Sequence, residues 1–481
     1  MDKITIDILL LSLFLISLLV GIRAFWKSQF KLALLMIFGI AFMMRAYQIN
    51  NERLGQWDEC YHALVAKNLA KHPATPTLYD TPALITDDTE WTGSRLWLSK
   101  PPVPLWAMGA SISIFGTNTF AVRFPSLVVG ILSVLLTFLL ARRFFDEKIA
   151  LIAAFLHAIN GLVIAVAAGQ ESSDHVETFF IFFVQAGIYF SILSIQKEKA
   201  VKFLLLAGLC TGLAFLSKWF PALLVWPVWL VAFAFSGKFN WKKMIVHALI
   251  IGAVTFIVVL PWILRLNRFG DDILVRVLFA FVEPVQLHEN PVYYYWHQIM
   301  IIFGEAVYLA IIITWAKVFK KRDLDKLTFL LTWLFIPLII FTMGETKRHT
   351  YLLVAAPAVF ILIAYSVRYL MTVKKQNMVW IARLGIVLLL VLPIRYMIER
   401  THLLQQKVEL TDFYNVPQER LDEFSEKDVV FNLEEHIELM FFSDVGSAYR
   451  HMPSDKEIIG LGANQLNVYI YNEGEFELVV D

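Results

Sequence analysis

Apolar runs of spanning length recur along the whole chain, near 4–22, 31–48, 121–141, 149–168, 176–196, 203–217, 219–236, 244–264, 298–316, 327–343, 351–368 and 378–397. A helix that crosses a bilayer needs about 20 mostly apolar residues. The pattern therefore predicts an all-α polytopic membrane protein of about twelve transmembrane helices. Short charged connectors separate the runs, and their basic residues alternate: Lys27 and Lys31, Arg142 and Arg143, Lys197 and Lys199, Lys242 and Lys243, Lys320 and Lys321, and Lys374 and Lys375 fall on one side. The positive-inside rule makes that side cytoplasmic. Segments 49–120, 169–175, 265–297 and 344–350 then face outward, as do both termini. Met1-Asp2-Lys3 offers little positive charge and no small-residue cleavage site follows Val20, so 4–22 reads as a retained span.

Composition agrees. Hydrophobic residues make up 58% of the 481, and charged residues 17%. Soluble chains average about 45–50% and about 25%. The net charge of +1, with no basic run interleaved with aromatics, gives no sign of a nucleic-acid partner. Cys60 and Cys210 fall in a loop and an apolar run, and do not suggest a disulfide framework.

Two outward segments exceed mere connectors. In 49–120, Trp57 to about His72 reads as a helix with Leu64, Val65 and Leu69 on one face, suited to lie on the membrane surface. Pro73, Pro76 and Pro82 end that helix and keep the next stretch irregular, and Pro101-Pro102 opens a short apolar helix over roughly 103–115. Segment 265–297 mixes charges with Tyr293-Tyr294-Tyr295-Trp296, which suits an interfacial belt. The expected division is a membrane domain over 1–400, with 49–120 as its first large outer loop, and a small soluble α/β domain over 401–481. The latter rests on Val429-Val430-Phe431, a helix near 434–442, and runs at 457–459, 467–471 and 476–480.

Candidate chemistry concentrates on the outer side. Asp58-Glu59 could supply a general base if burial or a neighbouring charge tunes one carboxylate. The same pair also suits a helix N-terminus. Lys100 before Pro101-Pro102 is a rigidly placed cation fit for a phosphate, or an interfacial snorkelling lysine. Glu171 and Asp174 stand where one span ends and the next begins, and Asp174 could equally cap a helix. Lys347, Arg348 and His349, ahead of Tyr351, run against the positive-inside trend, for which an anionic ligand is the simplest reason. Lys218 between two apolar runs is costly unless paired or wet. Glu283 and His288 could add a metal ligand or proton carrier. Walker, G-x-G-x-x-G, H-E-x-x-H and G-x-S-x-G signatures do not occur at fitting positions.

In order, Asp58-Glu59, Lys100-Pro101-Pro102 with Trp106, Phe115-Gly116, Ala121-Val122-Arg123-Phe124-Pro125-Ser126, Arg142-Arg143-Phe144-Phe145, Asp174, Gly212 to Lys218, and Lys347 to Tyr351 resemble the GT-C membrane glycosyltransferases. The likeness covers roughly 50–370 and is greatest to the bacterial branch of lipid A aminoarabinose transferases and relatives of protein O-mannosyltransferases. It implies a polyprenyl-phosphate sugar donor, a lipid, glycan or protein acceptor, and a bacterial inner-membrane location with the active site facing the periplasm. It further implies Asp58 as base with Glu59 in support, Lys100 on the donor phosphate, Asp174 ordering the site, and Lys347 and Arg348 as further phosphate contacts. Ser99 stands where the aminoarabinose transferases usually have a glutamate, which leaves a divalent metal ion and the sugar open. The stretch Asp87 to Trp91 could compensate. The competing readings are a transporter or flippase of a lipid-linked or anionic substrate, and a partner-binding membrane protein.

Overall fold

The computed structural model describes residues 3–49, 53–55, 57–86, 91–171, 175–196, 200–237, 239–270, 290–318, 324–344, 347–405, 412–472 and 474–480. Asp174, Glu283, His288 and the stretch 87–90 lie outside them. The chain divides into two compact units: one of Met1–Gln48, Ser126–Ala168 and His175–Gln405, the other of Ile49–Pro125, Gly169–Asp174 and Gln406–Asp481.

The first unit is helical, and the chain is a multi-pass membrane protein. Among the described residues nine helices are long and apolar enough to cross a bilayer, or eleven if each of two bent pairs counts as one span. The nine include α1 (Lys3–Trp26), α2 (Phe30–Ile49) and, beyond the short α3 (Asp58–Lys71) and α4 (Pro102–Phe115), α5 (Thr119–Phe144). The run at 149–168 is the first bent pair, α6 (Glu147–Ala158) and α7 (Gly161–Ala167), angled by 53°. A break inside a membrane frees backbone groups that lipid cannot satisfy. Arg45 donates to the Ala158 carbonyl at 3.1 Å, and the Asn160 side chain accepts from Val163 N–H at 3.0 Å. Then come α8 (His175–Gln196) and α9 (Ala200–Lys218).

The run at 219–236 departs from expectation. Trp219 adopts φ 57° and Pro221 follows, so a 3₁₀ turn over Phe220–Leu224 leads into the short α10 (Val225–Ala234). Next is α11 (Trp241–Leu266). The second bent pair, α12 (Tyr294–Phe303) and α13 (Ala306–Val318), turns by 110° at Gly304, whose φ of +79° suits glycine. Glu305 at that corner pairs with Arg395. The helices α14 (Leu324–Met343), α15 (Ala356–Leu370, entered through a 3₁₀ turn over His349–Ala355) and α16 (Gln376–Arg400) complete the unit.

Polar contacts at the helix ends agree with the alternating topology. Lys3 donates to His402 O and Gln405 O, Asp7 accepts from Tyr47 and from Leu404 N–H, and Gln48 donates to Thr401 O at 2.7 Å. The start of α1 and the ends of α2 and α16 therefore share one end of the unit. At the other end, Lys148 lies over the rings of Phe25 and Trp26, and Arg368 meets Asp146 at 3.0 Å.

The second unit is built on α3. Its residues Ala63, Leu64, Val65, Ala66 and Leu69 are all buried, in a core shared with Leu105, Met108, Val430, Leu439 and Met440. The apolar face therefore packs on protein instead of lying on lipid, because two apolar surfaces, α4 and the tail, cover it. Gly109 permits the close crossing of α3 and α4, since a Cβ there would stand 2.8 Å from Ala66 O. The tail forms a four-stranded sheet of β1 (Asp428–Phe431), β2 (Ser447–Ala448), β3 (Asn467–Asn472) and β4 (Glu475–Val480) in the order β2-β1-β3-β4. The parallel pairs β1–β2 and β1–β3 are reached through α17 (His436–Phe442) and α18 (Asp455–Ala463), while β3–β4 is antiparallel. The apolar run at 457–459 lies in α18, because Ser454 and Glu457 form a capping box at its start.

Glu438 on α17 is buried, which pushes its carboxyl up to about 7. The folded chain then holds a proton that the unfolded chain releases above its ordinary value near 4.5. Stability attributable to this group should fall as pH rises from about 4.5 to 7, by roughly 3 kcal/mol at most. Chemical-denaturation curves of Glu438→Gln should show a weaker decline over that window than wild type; parallel declines would show that Glu438 does not cause it.

Candidate active site

Asp58 and Glu59 open α3, and the entry to this helix is sharply constrained. Trp57 has φ 78° and ψ −111°, a conformation a bulky residue rarely adopts, and the residue is 64% exposed. Glu59 is fully buried. Arg123 grips it with two parallel bonds, Nε to Oε1 at 2.7 Å and Nη2 to Oε2 at 2.9 Å, and Gly55 N–H donates to Oε2. Arg123 also donates to Ile49 O at 3.3 Å and Arg53 O at 2.6 Å. This is the strong bidentate form of the ion pair. Backbone closes the other side: a Cβ on Gly169 would lie 2.1 Å from the Glu59 carboxyl carbon, and one on Gly55 2.0 Å from Gly169 O. Glu59 is thus engaged in positioning, and Arg123, from the motif running from Ala121 to Ser126, is its partner.

Asp58 is 7% exposed, and its Oδ2 lies 3.6 Å from the Lys100 ammonium. Lys100 arrives there through a short antiparallel bridge. Leu78 N–H donates to Arg95 O and Trp97 N–H to Pro76 O, both at 2.9 Å, around the pairing of Thr77 with Leu96. The Asn68 side chain on α3 holds Thr77 O and Leu78 O at 3.0 and 3.1 Å. Two residues distant in sequence are so fixed as a carboxylate and an ammonium in contact. Glu171 lies at a half-buried bend of the same unit.

The helical unit carries its own cluster. Lys218, at the end of α9, pairs with Glu177 in the first turn of α8 and lies 3.9 Å from the centre of the Tyr351 ring. Glu177 is the partner that Lys218 required, and sequence reading missed it; its one cue was an acid one turn into a span. Lys347 is 8% exposed, and its ammonium donates to Asn290 O at 3.1 Å while Asn290 Nδ2 returns a bond to Lys347 O at 3.2 Å. Tyr295 hydroxyl donates to Arg348 O at 3.1 Å. Arg348, His349 and Tyr351 are half-buried. Among the described residues, no three of His, Cys, Asp and Glu group as they would to hold a metal ion.

Residues 99–264 match the family described as dolichyl-phosphate-mannose-protein mannosyltransferase. Across 91–93% of its length the chain superposes on two crystal structures of ArnT from Cupriavidus metallidurans. For the one bound to undecaprenyl phosphate the TM-score is 0.63, the identity 13%, and 93% of each chain is covered. The chain has the GT-C fold. Its helical membrane part is as the resemblance implied, and the small four-stranded sheet is as the pattern of the tail predicted. The archaeal oligosaccharyltransferase AglB from Archaeoglobus fulgidus superposes with a TM-score of 0.60 and 15% identity, over 91% of this chain and 69% of that one. In sequence, the undecaprenyl phosphate-alpha-4-amino-4-deoxy-L-arabinose arabinosyl transferase 2 of Pseudomonas fluorescens (strain Pf0-1) is 27% identical over 263 residues, 53% of this chain and 47% of the relative. The corresponding transferase of Pseudomonas paraeruginosa is 28% identical over 268 residues. The match thus spans about half the length of these relatives. The resemblance drawn from the motifs, to the aminoarabinose-transferase branch of GT-C glycosyltransferases, is borne out.

Removing one partner of a buried ion pair costs roughly 3–5 kcal/mol. Arg123→Ala should destabilise the chain by that order, seen as a loss of folded monomer on heating in detergent. Gly169→Ala should also destabilise, because φ +68° and the Glu59 carboxylate both oppose a Cβ. Gly39→Ala, with nothing within 4 Å, is the control. Equal melting of the two alanine variants of glycine would contradict this packing.

Proposed function

We propose that this chain is a membrane glycosyltransferase. It moves a pentosyl or hexosyl unit from a polyprenyl-phosphate donor to a lipid, glycan or protein acceptor at the outer face of the bacterial inner membrane. The observation that carries the proposal is the Asp58 carboxylate held 3.6 Å from the Lys100 ammonium on a chain of GT-C fold. The relatives named for an activity are transferases, and none of those described is a transporter.

In the proposed reaction the acceptor oxygen attacks C1 of the donor sugar as the bond from C1 to the phosphate oxygen breaks. Asp58 takes the acceptor proton, and polyprenyl phosphate leaves with the bonding electron pair. In-line attack inverts the configuration at C1. Negative charge grows on the phosphate as the bond lengthens, so a fixed cation stabilises the transition state more than the bound substrate. Lys100 fills that role beside the base. Glu59 and Arg123 hold the helix start that presents Asp58. In the helical unit, Lys218, Lys347, Arg348, His349 and Tyr351 are proposed to bind phosphate of the lipid donor, the first and last already stacked as cation and ring. Asp174 and Glu171 are proposed to order the site.

Purified chain incubated with a radiolabelled polyprenyl-phosphate sugar and acceptor glycolipids or peptides should form a labelled product. Asp58→Asn should lower the rate by about 10²–10⁴-fold and Lys100→Ala by about 10²–10³-fold, with folded protein retained. Turnover near wild type in either variant would refute its assigned role.

A further inference from the structure

Next to the Asp58–Lys100 pair, the same unit carries a group of aromatic rings that the proposed chemistry does not use. Tyr61 and Trp91 lie with ring centres 4.8 Å apart, tilted by 58°. Trp91 meets Trp97 at 6.5 Å, and Trp97 meets His62 edge-on at 5.2 Å. Tyr61 and His62 stand three and four residues after Asp58 on α3, and so on the helix face of the proposed base. Trp97 is three residues before Lys100, fully buried, and anchors the group in the core. Tyr61 and Trp91 are only half-buried: they rest on that core and leave part of their surface open.

An aromatic face carries negative quadrupole density and a sugar ring presents C–H groups of opposite polarity, so the two stack with apolar contact on one side and hydroxyls left free at the rim. Tyr and Trp also offer large area with only two rotatable bonds to order. A base must reach the hydroxyl whose proton it takes, and Tyr61 lies one turn from Asp58. We infer that Tyr61 and Trp91 form the subsite for a sugar ring of the acceptor, which makes the acceptor a glycan or glycolipid. This rests on the glycosyl-transfer reading and narrows its acceptor class.

The test uses the full chain in lipid nanodiscs and soluble β-linked disaccharides, chitobiose and cellobiose, with binding read by saturation-transfer NMR. Wild type should transfer saturation to the ring C–H protons of at least one disaccharide. Trp91→Leu, which keeps apolar bulk without the π face, and Tyr61→Ala should each weaken its binding about tenfold. Trp91→Phe and Tyr61→Phe should retain it. Binding of undecaprenyl phosphate alone, unchanged in every variant, reports that the fold persists. Absence of saturation in wild type, or binding by Trp91→Leu and Tyr61→Ala as tight as that of wild type, would overturn the inference, as would displacement of the disaccharide by a serine- and threonine-containing octapeptide. The radiolabel assay separates the two claims. Trp91-dependent sugar binding without transfer would count against the enzyme reading alone; transfer with binding indifferent to both rings would count against this subsite alone.

Discussion

The buried pair of Glu59 and Arg123 is the interaction on which the loop unit turns. A carboxylate with no exposure is tolerated only if donors replace the water it has lost. Here the guanidinium supplies two bonds and the Gly55 amide a third. Meeting that demand dictates the neighbourhood: two glycines where backbone must approach within reach of the carboxylate, and a left-handed Trp57 where the chain turns into α3. Asp58 inherits its position from these choices. The proposed base is one residue from the best-anchored carboxylate in the unit, and its own placement needs little further support.

The helical unit answers a different demand, that of a solvent unable to hydrogen-bond. Its two bent pairs are both provided for. The α6–α7 break has Arg45 on the freed carbonyl of Ala158 and Asn160 on the freed amide of Val163, and the α12–α13 corner has a left-handed glycine followed by a paired glutamate. Lys218 obeys the same logic, with Glu177 neutralising it and the Tyr351 ring covering it. The unit can thus hold cations at its helix ends without leaving them bare in an apolar surround.

Much of this was legible from the residues alone. Hydropathy runs of spanning length reflect a requirement that acts locally, residue by residue, so every described run appears as helix; 219–236, interrupted by Trp219 and Pro221, is too short to span, and 149–168 and 298–316 each form a bent pair. The Pro-Pro start of α4, the strand at Val429 and the order of the motifs were legible for the same reason. What misled was α3. An amphipathic pattern states that an apolar face must be covered, but not by what, and here α4 and the tail cover it in place of lipid.

The sequence by itself determined that this is a polytopic helical membrane protein, because composition and periodicity carry that information without reference to distant residues. Tertiary structure decided the partners. That Arg123 belongs to Glu59, Glu177 to Lys218, and Lys100 to Asp58 depends on contacts between residues 41 to 64 positions apart. Such pairings are set by how elements pack, and no local pattern along the chain encodes which charge will meet which.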